Sequence, residues 1–223
     1  MTLSIREAVA ARRSVRGFLP DPVPLDTLRR IAIEAGRAAT GGNLQPWHVD
    51  IVTGDALTEL KAVMADRVAS GGAETPGYAI YPPDLDGPYD ERRRAMGELL
   101  YNHLGIPRED KAARRDWFAR NFQLFGAPAA YFVTVDRRMG PPQWADLGMY
   151  LQALMLLAVD VGLATCAQEA WALYPETVAG FLGTPAERLL FCGVAIGLED
   201  PADPANRTRS ERAPDHEWLT IRG

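Results

Sequence analysis

The sequence predicts one soluble globular domain in which helices and short apolar strands are interspersed. Three observations predict this. The chain is 223 residues long, about the size of one large domain. Its 47% hydrophobic and 24% charged content is that of an ordinary globular chain. At this length roughly 70% of the unfolded surface is buried on folding, so neither disulfides nor metals are needed to hold it. Finally, apolar residues recur at helical spacing in some segments and as short continuous runs in others.

The elements follow in order. Ser4 to Arg13 reads as a first helix, with Ser4 and Glu7 forming a capping box ahead of Ile5, Ala8 and Val9. The cluster Pro20-Asp21-Pro22-Val23-Pro24 is a rigid turn, and Asp26 opens a second helix to Arg37. Thr40 to Pro46 is a loop by composition, His48 to Thr53 a strand, and Asp55 to Ala69 a helix. The Gly- and Pro-rich stretch Ser70 to Pro88 is expected to be a mobile flap. Asp90 to Phe125 is helical, and Tyr131 to Val135 is a buried strand. Gln143 to Val161 is a long helix so apolar in its second half that burial on every side is expected. Thr165 to Glu169, a helix from Pro175 to Leu182 and a strand from Leu189 to Ile196 complete the body. The tail after Gly197 has little apolar content before Trp218 and cannot bury itself alone.

Absences narrow the chemistry. A net charge of −5 argues against a general nucleic-acid binder. No run reaches the ~20 apolar residues of a membrane span, and the N-terminus shows no apolar stretch behind a basic start. Two cysteines, Cys166 and Cys192, are too few for a secreted disulfide scaffold, so a cytoplasmic location is expected. Neither G-x-G-x-x-G nor G-x-x-x-x-G-K occurs, nor do G-x-S-x-G and H-E-x-x-H. His48, His103 and His216 show no metal-ligand spacing, so no metal is expected. Asn206-Arg207-Thr208 matches a glycosylation sequon and is read as chance.

Five constellations carry chemistry. In Arg12-Arg13-Ser14-Val15-Arg16, an extended chain puts Arg12, Ser14 and Arg16 on one side, a set suited to a phosphate monoester. Ordinary cations at a helix C-terminus are the plainer reading. Thr40-Gly41-Gly42-Asn43 lets backbone approach a flat ligand closely, or is simply a turn beside a packed Trp47. Gln168 and Glu169 close a strand, where backbone N–H groups could reach a ring nitrogen, or where two polar residues merely end it. Arg209 and Arg212 in the tail would complete an anion site begun at Arg12, unless the tail is only solvated. Phe118, Phe122 and Phe125 fall at i, i+4, i+7, a core stripe; alternatively they and Trp117 wall a pocket that stacks on an aromatic substrate.

The order of these pieces resembles the FMN-dependent nitroreductase family, in its nitrobenzoate and nitroaromatic reductase subgroup. The likeness runs from Arg12-Arg13-Ser14-Val15-Arg16 and Gly41-Gly42-Asn43-Leu44-Gln45-Pro46-Trp47 through Leu104 to Asp110 and Asn121 to Pro128. It continues through Trp144 to Gln152, Gln168-Glu169 and Arg209 to Pro214. The resemblance implies an α+β fold, a single domain over 1–223 with a mixed central sheet flanked by helices, in an intertwined homodimer. The extension 198–223 would reach the partner subunit. It implies FMN held by Arg12, Arg13, Ser14 and Arg16, by Thr40, Gly41, Gly42 and Asn43 from the partner, by Gln168 and Glu169 beside N5, and by Arg209 and Arg212. Arg16 is the candidate for the charge near N1 and O2. NAD(P)H would be the hydride donor and a small aromatic compound the acceptor, in ping-pong turnover. Enone reduction, dehalogenation, flavin fragmentation and non-catalytic flavin binding remain as alternatives.

Overall fold

The structure is a computed structural model and describes residues 3–223. Four strands form its sheet: β1 (His48–Thr53), β2 (Ala129–Asp136), β3 (Ala164–Gln168) and β4 (Arg188–Gly197). They lie in the order β1-β2-β4-β3, every neighbour antiparallel. Among the described residues the parallel component of the expected mixed sheet is a single bridge, Ser14 beside Thr165. Around the sheet stand α1 (Ile5–Ala11), α2 (Leu25–Ala35), α3 (Gly54–Ala69), α4 (Gly87–His103), α5 (Lys111–Ala119), α6 (Pro141–Asp160) and α7 (Pro175–Leu182).

The central strands are buried on both faces, and side chains alternate between them. On β2, Ala130 and Phe132 pack with α3 residues Leu57, Leu60 and Met64. Ala129, Tyr131, Val133 and Val135 face the other way, against Leu28 and Ile31 of α2 and Leu147, Tyr150 and Leu154 of α6. Buried hydroxyls find backbone partners there: Tyr131 donates to the Leu28 carbonyl at 2.9 Å and Tyr150 to that of Ala32 at 3.2 Å.

The start of α1 follows its capping signal, with Ser4 Oγ accepting from Glu7 N–H and the Glu7 carboxylate accepting from Ser4 N–H. Three expectations are corrected. First, α6 is not buried on every side. Leu147, Tyr150, Leu151, Leu154 and Ala158 are buried, while Met149 is 41% exposed on the opposite face. Apolar content does not distinguish burial in a chain's own core from a face left open.

Second, the Phe118–Phe125 stripe does not continue as one helix. α5 ends at Ala119, and a 3-10 segment follows in which Leu124 and Phe125 both take left-handed backbone, φ 53° and 54°. Trp117, Phe122 and Phe125 are buried in the core, and only Phe118 is exposed.

Third, the Ser70–Pro88 stretch is tied down in its first half. The Glu74 carboxylate accepts from the N–H of Glu176 (2.7 Å) and Thr177 (3.2 Å), from the Thr177 hydroxyl, and from Arg67 Nε (3.1 Å). Tyr78 donates its hydroxyl hydrogen to the Phe191 carbonyl.

Burial by itself would push the Glu74 carboxyl up, but the bonds from Thr177, Glu176 and Arg67 together hold it below the usual glutamate range. A carboxyl depressed in the folded state stabilises fully above its unfolded pKa and less as pH falls through the folded one. Glu74→Gln is therefore expected to lower Tm at pH 7 by roughly 4–8 °C, the equivalent of about 2 kcal/mol. The gap from wild type should shrink in strongly acid buffer. Melts across pH check this, and a pH-independent gap would remove the charge from the explanation.

Candidate functional site

Arg12 leaves α1 in extended backbone, φ −61° and ψ 127°. Residues 14–15 then run along the outer edge of β3, with Val15 N–H bonded to the Thr165 carbonyl at 3.0 Å. Extended backbone produces the alternation expected of Arg12, Ser14 and Arg16, and all three line one cavity of about 640 Å³. Arg209 and Arg212 line it from the tail, and Gln152 from α6. Residues two hundred positions apart in sequence thus meet as the arginine pattern anticipates.

Arg13 also borders this cradle, but its guanidinium is paired with Glu199. Among the described residues Arg12, Arg16, Arg209 and Arg212 have no carboxylate partner. Arg16 Nη1 lies 3.4 Å from the Ser14 carbonyl, Arg209 Nη1 donates to the Asn206 carbonyl at 2.6 Å, and Arg212 Nη1 to Ser210 Oγ at 2.7 Å. Four guanidiniums without counter-charge around one hollow repel each other, and an anion with several acceptor oxygens relieves that repulsion.

Arg16 and Met96 also line a larger cleft of about 1000 Å³, so cradle and cleft adjoin. The cleft has Cys166, Ala167, Gln168, Glu169 and Ala170 along one side and Tyr78, Tyr101 and Phe118 among its aromatic walls. Gln168 is buried, its Nε2 donating to the carbonyl (2.8 Å) and Oδ1 (3.1 Å) of Asn121. Its Oε1 is buried with no partner. Glu169 opens a 3-10 turn to Leu173, whose first N–H groups have no partner within the turn. Crowding by surrounding apolar atoms raises the Glu169 carboxyl pKa, although its surface is open to the cleft. The Cys166 thiol is pushed up by burial, so it forms cleft wall and not a nucleophile.

Thr40, Gly41, Gly42 and Asn43 line neither space. They form a short 3-10 turn with Gly42 and Asn43 at φ 59° and 57°. The buried carboxylate of Asp146 on α6 holds it, accepting from Thr40 Oγ1 at 2.9 Å and Gly41 N–H at 3.2 Å. Of the proposed aromatic wall, Phe118 lines the cleft, whereas Trp117 and Phe125 are core and line no cavity described here. Phe122 meets a neighbouring pocket.

Sequence reasoning assigned no role to Asp146, Glu199 or Asn206. Asn206 is buried, which removes it as a glycan acceptor. Its Oδ1 accepts from Arg16 N–H, and its Nδ2 donates to the carbonyls of Gly17 and Asp200, each at 2.8 Å. It is the clamp that holds the Arg16 backbone, and its place beside the tail arginines was the available signal.

A cationic cradle opening into a mostly apolar, aromatic-walled cleft on an α+β scaffold is an arrangement suited to a phosphorylated aromatic group. The chain belongs to the Nitroreductase family, which it matches over residues 9–198. It is 34% identical over 204 residues to a 4-nitrobenzoate reductase of Pseudomonas putida, covering 92% of this chain and 89% of that protein. It is 33% identical to a nitrobenzene nitroreductase of Ectopseudomonas oleovorans, covering 97% and 96%. Among solved structures, the FMN- and NADPH-dependent nitroreductase NfnB of sphigopyxis sp. strain HMH superposes with a TM-score of 0.96 at 47% identity, over 99% of this chain and 100% of that one. The FMN-dependent NfnB of Mycobacterium smegmatis, solved with NADPH, gives 0.93 at 30%, over 98% and 97%. The fold is thus the nitroreductase fold.

Proposed function

We propose that this protein is an FMN-dependent NAD(P)H oxidoreductase that reduces nitroaromatic acceptors. The observation that carries the reading is the convergence of Arg12, Arg16, Arg209 and Arg212, without carboxylate partners, on a cradle continuous with the cleft. The donor set fits FMN: guanidiniums and Ser14 for the phosphate, and the β3 end at Gln168–Glu169 with its orphaned buried Oε1 for a polar ring edge. Arg13 contributes through its pair with Glu199, which fixes the strand beside the cradle. FMN, when bound, supplies the two-electron chemistry by taking a hydride from NAD(P)H and passing reducing equivalents to the acceptor.

The protein's own part is placement and electrostatics. Arg16, bordering both spaces, would supply positive charge to a flavin held between cradle and cleft. Phe118 and Tyr101 offer faces on which nicotinamide and nitroarene rings can stack. Without a Rossmann motif elsewhere in the chain, donor and acceptor take the cleft in turn, which is ping-pong turnover. No side chain is assigned as general acid or base.

The assembly is a homodimer centred on the open face of α6. Met149 there is 41% exposed, and an apolar hollow lined by Ile5, Leu156 and Leu157 opens beside it. Thr40 to Asn43, turned away from this chain's own cleft, would then serve the partner's. Tail residues 198–208 are bonded to their own chain, Arg209 and Arg212 line its own cradle and Glu217 pairs with Arg92, which narrows the part left to reach the partner to 218–223, where Trp218 and Ile221 are 70% and 86% exposed. The buried free thiols Cys166 and Cys192 support a reducing, cytoplasmic setting.

The test is an absorbance spectrum of the purified protein, then anaerobic NAD(P)H and a nitroarene. A flavin band that bleaches and returns supports the proposal. Bleaching without return moves the function to enone reduction or dehalogenation, and a protein that cannot be loaded with FMN overturns it.

A further inference from the structure

Phe118 is large, apolar and 43% exposed, and it forms a ridge between two hollows. On one side is the main cleft. On the other is a pocket of about 490 Å³ that shares Tyr101, Phe118 and Leu173 with it. Its wall is completed by Val68, Ala119 and the aromatic pair Phe122 and Tyr174, whose rings meet edge-on with centroids 4.9 Å apart. Its rim is cationic, from Lys111, Arg114 and Arg115 on α5.

Arg114 is committed locally. Its guanidinium carbon lies 4.1 Å from the Tyr101 ring centroid and its Nε donates to the Pro107 carbonyl at 3.1 Å. Lys111 and Arg115 make no ion pair among the described residues, and the adjacent Asp110 accepts from Ala113 N–H as the helix cap. In a chain of net charge −5, an aromatic-walled pocket rimmed by two uncompensated cations suits a planar ring bearing an anionic group.

We infer that this pocket is the subsite for the phosphorylated adenosine end of NADPH. The adenine stacks along Phe118 and Tyr174, and the 2′-phosphate meets Lys111 and Arg115. This deepens the proposed function and rests on it for the donor. Only a ligand long enough to span the Phe118 ridge uses both hollows, and a dinucleotide with its nicotinamide in the cleft does so. The cations then discriminate NADPH from NADH, because only NADPH carries the 2′-phosphate.

Calorimetric titration of the FMN-loaded protein with adenosine 2′,5′-bisphosphate and with adenosine 5′-monophosphate tests this without turnover. The bisphosphate is expected to bind at least tenfold more tightly. Lys111→Ala/Arg115→Ala should abolish that preference and lower the NADPH-to-NADH ratio of kcat/KM by a similar factor, with flavin content per chain as the control for folding. Equal binding of the two nucleotides by wild type, or a preference that survives in the variant, overturns the assignment. A variant that loses affinity for 4-nitrobenzoate while keeping the nucleotide preference also overturns it, and gives the pocket to the acceptor's carboxylate. Failure of the proposed function reads differently: the FMN-loaded protein would not oxidise either pyridine nucleotide, whatever the fragment titrations show.

Discussion

A chain ending at Gly197 is expected to lose its folded state, whereas one ending at Thr208 is expected to stay folded and lose FMN affinity. The difference lies in what 198–208 touches. Leu198 accepts from Leu19 N–H and Asp200 N–H donates to the Gly17 carbonyl, each at 2.9 Å. Asn206 makes three bonds to Arg16, Gly17 and Asp200, and Thr208 Oγ1 lies 3.0 Å from His103 Nδ1. Asp203 pairs with Arg120 at 3.1 Å and Glu199 with Arg13.

Cutting at Gly197 strips these partners from groups that remain part-buried, at about 1–3 kcal/mol each. Several such losses rival a typical total stability of about 5–15 kcal/mol. Cutting after Thr208 removes mainly exposed chain, but takes Arg209 and Arg212 out of the cradle. Circular-dichroism melts and flavin content per chain separate the two. A cooperative melt at the wild-type temperature for the shorter chain would show that 198–208 is not part of the body.

Arg12→Ala is expected to weaken FMN binding about 10- to 150-fold, since a charge-assisted phosphate contact contributes roughly 1.5–3 kcal/mol. Arg12 is suited to that contact because no carboxylate engages it. Arg13→Ala provides the contrast. It breaks the pair with Glu199, so it should lower Tm and affect flavin affinity less. Titration of the apoprotein by flavin fluorescence, beside thermal melts of both variants, checks this. Unchanged affinity in Arg12→Ala would take that residue out of the cradle, and the reverse ranking would exchange the two roles.

Much of the fold was legible because its signals are local. The capping box at Ser4–Glu7, the apolar runs of β2 and β4 and the punctuation by Pro20–Pro24 act within a few residues of themselves, and each element lies where its pattern predicts. That Arg12, Ser14, Arg16, Arg209 and Arg212 share one cavity was legible for a related reason. Arginines carry a chemistry that composition exposes, and strand alternation groups Arg12, Ser14 and Arg16, while only the pairing with Glu199 sets Arg13 apart in the same cavity.

What stayed hidden depends on partners distant in sequence. An apolar helix pattern does not say which face of α6 meets the sheet, nor does helical spacing foresee the left-handed pair Leu124–Phe125 that turns Phe122 and Phe125 into the core. A Gly- and Pro-rich stretch gives no hint that Glu74 will find two N–H groups on α7. Asn206 reads as an ordinary polar tail residue until the tail folds back and its amide closes on Arg16 and Gly17. The sequence alone determined most of the elements, their order and where the arginines fall along the chain. Only the tertiary structure decided which side chains those charges leave unpaired, because pairing and burial are set by contacts between segments far apart in the chain.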